Sequence, residues 1–379
     1  MLFETTINKK IDILVSSIDA VNEKKGLLVT SAIIALSFLI LAMIYVRPSL
    51  PFFPDNLVGV TEQYYQIALD PFGYDWEGAP RGFRIGVPLL SWTLGLRGES
   101  LAYTTIGILY VFIFAVFYRY VRQSGSTLVG LSITSVIVFT APILYNLFDL
   151  ASVEAVRVFL MILMIWTVRN RVLFWALFLV NIFVHEGAAV FMPFYLILRW
   201  PLRKSFIEFI IGDLFVGVAL TGAYLPFYDD TGSSTYLDPW KTGFEGFLSA
   251  TRENLIKWVW HGYEGIFSAF RLYWIVVLTA FVLAVRDRRW YDGLLIVAPI
   301  MGFGAMMIVS WETTRMALLA APTLVISFDQ LRIRFGDEVI ARSVLMLGVI
   351  NLFVPQQLSL GGPPGAMPSL PHMLMFWLF

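Results

Sequence analysis

The chain has no cysteine among its 379 residues, and only 14% of its residues are charged. Without cysteine there is neither a disulfide framework nor thiol chemistry. Lys+Arg 27 and Asp+Glu 27 cancel, so there is no net basic charge for binding nucleic acid. A soluble domain carries about 25% charged and about 45–50% apolar residues. Here 58% are hydrophobic, and the mean hydropathy is +0.75. Disorder is excluded by the same figures. What is present is long apolar runs and 16% aromatic residues, a content that suits membrane-interface belts. The runs are continuous rather than alternating, which argues against a transmembrane β-barrel. The composition fits a polytopic α-helical membrane protein with room for roughly ten hydrophobic elements.

Residues 1–25 are polar and carry Lys9, Lys10, Lys24 and Lys25. They precede an apolar run at 26–46 that is long enough to span and lacks a small-residue cleavage site, so it reads as a retained first helix. The lysines place residues 1–25 in the cytoplasm and residues 47–100 outside, as a first outer loop. Prolines at 48, 51, 54, 71, 80 and 88 forbid one long helix there. Within that loop TEQYYQIAL has helical spacing, with Tyr64, Ile67 and Ala68 on one face of a short interfacial helix. VPLLSWTLGL is too short to cross and predicts a re-entrant or half helix.

The later runs alternate according to their basic turns. Arg119 and Arg122, Arg169 and Arg171, Arg199 to Lys204, Arg286 to Arg289, and Arg332 with Arg334 all mark cytoplasmic ends. The run at 172–199 has basic residues at both ends, so it must turn back. The break falls at His185-Glu186-Gly187, where two short helices meet. Residues 228–266 form a second large outer loop. The single membrane domain runs from 26 to 358, and residues 359–379 are a Gly/Pro-rich and then apolar tail.

Polar residues near membrane depth are functional candidates, and the candidates collect on the outer side. Asp55, Glu62, Asp70 and Asp75 lie in the first outer loop. Glu62, beside Tyr64 and Tyr65, could serve as a general base or hold a divalent cation; a solvated acidic loop is the alternative. Arg81 and Arg84 precede the half helix, where a guanidinium and helix N-terminal amides suit a phosphate; pairing with lipid headgroups is the alternative. His185 and Glu186 interrupt an apolar run. Position 189 is alanine, so the two-histidine zinc motif is absent, and the pair could orient a hydroxyl or phosphate or simply join helices. Glu312, Thr313, Thr314 and Arg315 open a helix on the outer side, with Arg315 available to a lipid phosphate or to the interface. Asp149, Glu154 and Arg157 form a smaller outer set. Glu154 and Arg157, three apart, read as partners of each other.

The stretch TEQYYQIALDPFGYDWEGAPRGFRIGVPLLSW resembles the first outer loop of prokaryotic membrane proteins similar to the GT-C glycosyltransferases. The likeness rests on Glu62, Tyr64, Tyr65, Phe83, Arg84, Pro88, Leu89 and Leu90. VHEGAAVFMPFYLILR resembles the mid-chain acidic break of that group, with His185, Glu186 and Pro193. WETTRMALLAAPTLVI resembles its late turn, with Glu312, Thr314, Arg315 and Pro322. The resemblance implies a GT-C-like bundle in the plasma (inner) membrane of a prokaryote, an extracytoplasmic site and a polyprenyl-phosphate-sugar donor. It also implies a catalytic carboxylate in the first outer loop. The family's usual aspartate or Asp/Glu pair is here Glu62, with Asp55 seven positions earlier, so either can be the base. The acceptor is a glycan, lipid or protein, and the metal requirement stays open. Two other readings fit the same residues. One is an O-antigen or exopolysaccharide polymerase or ligase that uses lipid-pyrophosphate glycans and depends on His185. The other is a transporter, flippase or non-catalytic subunit of a membrane complex.

Overall fold

The computed structural model describes residues 2–46, 60–72, 85–150, 152–200, 265–309, 317–358 and 365–367, with isolated residues between 207 and 256. The described chain is helical apart from one short antiparallel strand pair, Gln356–Leu358 with Gly365–Met367, in the tail.

Residues 1–25, polar in composition, contain one continuous helix, α1 (Leu2–Lys25). Gly26, at φ +81, ends it in the left-handed conformation that glycine adopts without strain. α2 (Leu27–Val46) follows. The first-loop elements are α3 (Val60–Leu69) and the eight-residue α4 (Gly86–Thr93), two short helices where the sequence predicted them. α5 (Leu101–Ser124) stops at left-handed Gly125. α6 (Thr127–Val138) starts on Ser126, whose side chain accepts from the Val129 amide. α7 (Ala141–Phe148) carries proline in its first turn.

Next come α8 (Glu154–Trp166) and α9 (Arg171–Val184). The Asn170 side chain caps α9. A 3-10 turn (Glu186–Phe191) leads into α10 (Met192–Arg199), so the apolar stretch breaks at His185 as expected. Further along the described residues come α11 (Trp274–Arg286), α12 (Trp290–Val309), α13 (Pro322–Phe335) and α14 (Asp337–Asn351).

Three stretches are long and apolar enough to cross a membrane among the described residues: Leu27–Val46, Gly98–Ser124 and Gly265–Arg286. α6 and the body of α7 qualify together, with a 54° bend between them. Pro142 cannot donate to the preceding turn, and Thr140 is extended, so the helix restarts at a new angle. Arg171–Val184, Gly187–Arg199 and Trp290–Met306 are shorter apolar helices. This is the helical membrane character that the composition implied.

Contacts sort the helix ends into two groups. At one end the basic turns meet. The Tyr120 hydroxyl donates to Asp329 at 2.9 Å, and Arg332 bonds Asp329 and Asp337. Arg334 pairs with Asp287, and Arg119 lies over the Trp166 ring. Arg199 donates to the Val168 carbonyl. α1 is fastened at the same end. Its Asp19 accepts from Thr127, and its Asp12 pairs with Arg342 at 2.7 Å.

At the opposite end Arg271 is completely buried. It donates to the carbonyls of Phe139, Asn351 (2.8 Å) and Val354 (3.0 Å), and to the Tyr45 hydroxyl (3.3 Å). One guanidinium therefore joins the end of α2, the bend after α6 and the end of α14. Its own backbone sits at φ +50, a conformation costly for a residue with a Cβ. The hydrogen bonds hold it there, and the Leu272 amide adds one to the Asn351 side chain at 3.0 Å. The core between the two ends is apolar and packs all the long helices together.

Candidate functional site

The candidate site lies at the end opposite the basic turns. It starts from a second, smaller apolar cluster. Tyr64 and Ala68 of α3, Val87 of α4, Leu101 of α5, Val153 and Val156 at the start of α8, and Val184 at the end of α9 pack together. α3 thus buries the face that its helical spacing marked: Tyr64, Ile67 and Ala68 are all buried. α4 comes so close to the end of α9 that a Cβ on Gly86 would stand 3.1 Å from both the Phe183 carbonyl oxygen and the Val184 side chain. Only glycine permits that approach without displacement. The first-loop helices are thereby seated directly against the residues preceding His185.

His185 is extended and buried, with 4% of its surface exposed. Its Nδ1 accepts from the Gly187 amide at 3.0 Å. In the neutral ring the proton is therefore on Nε2. Gly187 is enclosed. A Cβ there would be 2.9 Å from the Met306 methyl, 3.1 Å from an Arg157 terminal nitrogen and 3.1 Å from the His185 Nδ1. Arg157 therefore lies against the break, fully buried. On the far side of the same region Asn181 donates to the Tyr195 hydroxyl at 3.2 Å, and Tyr195 is within electrostatic reach of Arg157.

Arg157 is held by the way α8 begins. The Glu154 carboxylate turns back over its own helix start, accepting from the Ser152 hydroxyl and from the Val153 amide at 3.0 Å. Acidic groups are favoured there by the helix dipole. Asn146, on α7, accepts from the Ala155 amide at 2.6 Å and donates to the Ser152 carbonyl. The α7–α8 connection is thus fixed by buried, satisfied polar groups, as such networks must be to persist. By spacing Glu154 and Arg157 are close enough to pair. The described hydrogen bonds of Glu154 include those to the helix start, and Arg157 lies against Gly187.

Tyr65, partly buried on α3, has its phenol pushed up to about 12 by burial, with Asp149 and then Glu99 adding negative charge nearby. At neutral pH it is a hydrogen-bond donor held near two carboxylates. Asp149 thus belongs with the first-loop helices.

Of the sequence candidates, the structure brings Tyr64, Tyr65 and His185 to one end of the bundle through the α3, α4 and α9 packing. Glu62 is on α3 and Glu186 opens the 3-10 turn, but their side chains lie outside the described residues. Asp55, Arg81, Arg84, Thr314 and Arg315 lie outside them entirely. Ile85, which follows Arg84, caps α4, and Ala317, two residues after Arg315, is buried. Among the described residues no three His, Asp or Glu side chains gather closely enough to hold a metal ion. Of the cation ligands considered from sequence, Glu62 and its acidic neighbours in the first loop, only the Asp70 side chain lies among the described residues.

Sequence reasoning gave no role to Asn146, Asn181 or Tyr195. Their only sequence signal is a polar residue inside an apolar run, and Tyr195 gives almost none. The chain matches no family model, no curated protein and no solved structure.

Proposed function

We propose that this protein is a membrane glycosyltransferase of GT-C-like architecture, moving a sugar from a polyprenyl-phosphate donor to an acceptor hydroxyl. The observation that carries the reading is the seating of the first-loop helices, which bear Glu62, Tyr64 and Tyr65, against Phe183 and Val184, the residues preceding the His185–Gly187 break, where Arg157 is buried against Gly187. That arrangement supplies the residue types the reaction needs at one end of the bundle. The positive-inside rule assigns the basic end to the cytoplasm. The transfer is then extracytoplasmic, across a prokaryotic plasma membrane.

In this reading Glu62, or Asp55, takes the proton from the acceptor hydroxyl. The acceptor oxygen bonds to the anomeric carbon while the bond from that carbon to the phosphate oxygen breaks. The electron pair leaves with the lipid phosphate, and Arg84 and Arg315 stabilise the charge that develops on it. Arg81 and Thr314 border the same phosphate. His185 and Glu186 line the sugar side. Arg157 holds the His185–Gly187 turn, and Tyr65 donates from the loop.

The test uses the full chain in proteoliposomes with a polyprenyl-monophosphate sugar. Transfer is expected in the wild type and is abolished by Glu62→Gln without loss of folding. Full transfer in both Glu62→Gln and Asp55→Asn proteins would overturn the mechanism.

A second reading draws on the buried Arg157 beside His185. A cation next to a buried imidazole suits a polymerase or ligase acting on lipid-pyrophosphate glycans. A requirement for a pyrophosphate carrier, with activity lost in His185→Ala but not in Glu62→Gln, would select it.

A further inference from the structure

α1 has three distinct faces. Taking Ile11 as the origin of a helical wheel at about 100° per residue, buried Ile11 and Ile18 and partly buried Val15 fall within about 40° of it. Ile18 packs with Phe117, Val121 and Leu131, and Val15, Leu27, Ile34 and Phe38 pack around that group. The described acidic side chains Asp12, Asp19 and Glu23 fall between about 80° and 120°. Asp12 and Asp19 are bound to Arg342 and Thr127. The remaining arc, between about 160° and 320°, holds Lys9, Lys10, Lys24 and Lys25, all exposed. It also holds Ile13, Leu14 and Val21, exposed at 57%, 49% and 38%.

Three large aliphatic side chains gathered on one exposed arc and rimmed by lysines form the kind of surface patch that marks an interaction or membrane site. Anchored against the ends of α2, α5, α6 and α14 and joined to a candidate span by Gly26 alone, α1 sits where the bilayer surface begins. Alternating Lys and aliphatic residues on one arc match an anionic headgroup layer over acyl chains. Long lysine side chains can reach the phosphates while Ile13, Leu14 and Val21 enter the acyl boundary.

We propose that this face of α1 is a docking surface for anionic lipid, engaging the leaflet at the basic end of the bundle. Asp12 and Asp19 are engaged by Arg342 and Thr127, and exposed Glu23 lies about 160° around the helix from Val21, so the acids do not oppose the lipid charge. The proposal does not depend on the reaction at the opposite end.

The absence of cysteine makes the test direct. Val21→Cys and Glu23→Cys place spin labels within one turn of each other on opposite sides of the helix. The full-length proteins are reconstituted in phosphatidylcholine vesicles with and without phosphatidylglycerol. Collision rates are measured with oxygen, which partitions into lipid, and with a water-soluble nickel chelate. With phosphatidylglycerol, the label at 21 is expected to favour oxygen severalfold and the label at 23 to favour nickel. The contrast is expected to shrink in pure phosphatidylcholine, and also in a Lys10→Gln, Lys24→Gln background. A label at 21 as open to nickel as the label at 23 would overturn the proposal. So would a label at 21 shielded from both reagents, as a second protein copy would produce, or a contrast equal in the two lipids.

Discussion

The two ends of the bundle use the same residue types differently. At the basic end, arginines pair with carboxylates at partly exposed positions. Arg332 lies between Asp329 and Asp337, Arg334 meets Asp287, and Arg342 meets Asp12 and Glu338. Such pairs are screened and contribute little each. At the opposite end Arg271 and Arg157 have no exposed surface, and neither has Glu154. A charge there persists only with dedicated partners, because desolvation is costly. The basic end records orientation. The opposite end holds charge at a cost that must be offset by structure or function.

Four predictions sharpen that contrast. The largest effect is expected at Arg271. Arg271→Met removes the guanidinium bonds to three carbonyls and should lower stability by about 3–5 kcal/mol, the range for removing one partner from a buried charged network. Thermal unfolding of the detergent-solubilised protein reads it. Arg271→Lys should recover little, because an ammonium cannot reach carbonyls on three segments as a planar fork does. Loss of less than about 1 kcal/mol, the exposed-pair range, would place Arg271 in the same class as the basic-end arginines.

Gly187→Ala comes next. Its Cβ would press on Met306, Arg157 and His185, and overpacking of this kind costs about 1–3 kcal/mol. Unfolding measurements on this variant and on Gly304→Ala provide the comparison, since nothing stands within 4 Å of a Cβ at Gly304.

Arg334→Ala should cost about 0–1 kcal/mol, and raising the salt concentration in the wild type should mimic part of it. A loss comparable with that of Arg271 would remove the distinction between the ends.

The smallest effect concerns pH. The Tyr65 phenol is raised to about 12, so the folded state holds its proton more tightly than the unfolded state. That contribution is fully present below the ordinary tyrosine value, about 10, and is lost as pH rises through about 12. Tyr65→Phe should flatten the alkaline end of the stability profile. An unchanged profile would mean that the phenol is neither buried nor near Asp149 and Glu99.

The sequence made legible whatever depended on local pattern. Helical spacing located Tyr64, Ile67 and Ala68 on the buried face of α3, and the shortness of VPLLSWTLGL gave the half helix. The clash between run length and basic ends required a turn at His185. Burial inside an assembled bundle leaves no such pattern. Nothing near Arg271 in AFRLYW distinguishes a buried clamp from an interfacial arginine, because its partners lie in three distant segments. Spacing put Arg157 within reach of Glu154, but gave no sign of the bonds from Ser152 and the Val153 amide to that carboxylate or of the approach of Arg157 to Gly187. α1 was read as a polar segment because its buried stripe is narrow and its charges hid the periodicity. The bend after α6 did have a signal, Pro142, inside a run otherwise long enough to cross unbroken.

The most direct test of the account measures sugar transfer from a polyprenyl-monophosphate donor in proteoliposomes, with Arg157→Ala and Arg334→Ala compared at equal folded protein. Each removes one arginine, from opposite ends of the bundle. The account predicts that transfer falls at least about tenfold in Arg157→Ala, equivalent to about 1.4 kcal/mol in the barrier, and stays at the wild-type level in Arg334→Ala. Equal transfer in the two variants, or loss in Arg334→Ala alone, would contradict it.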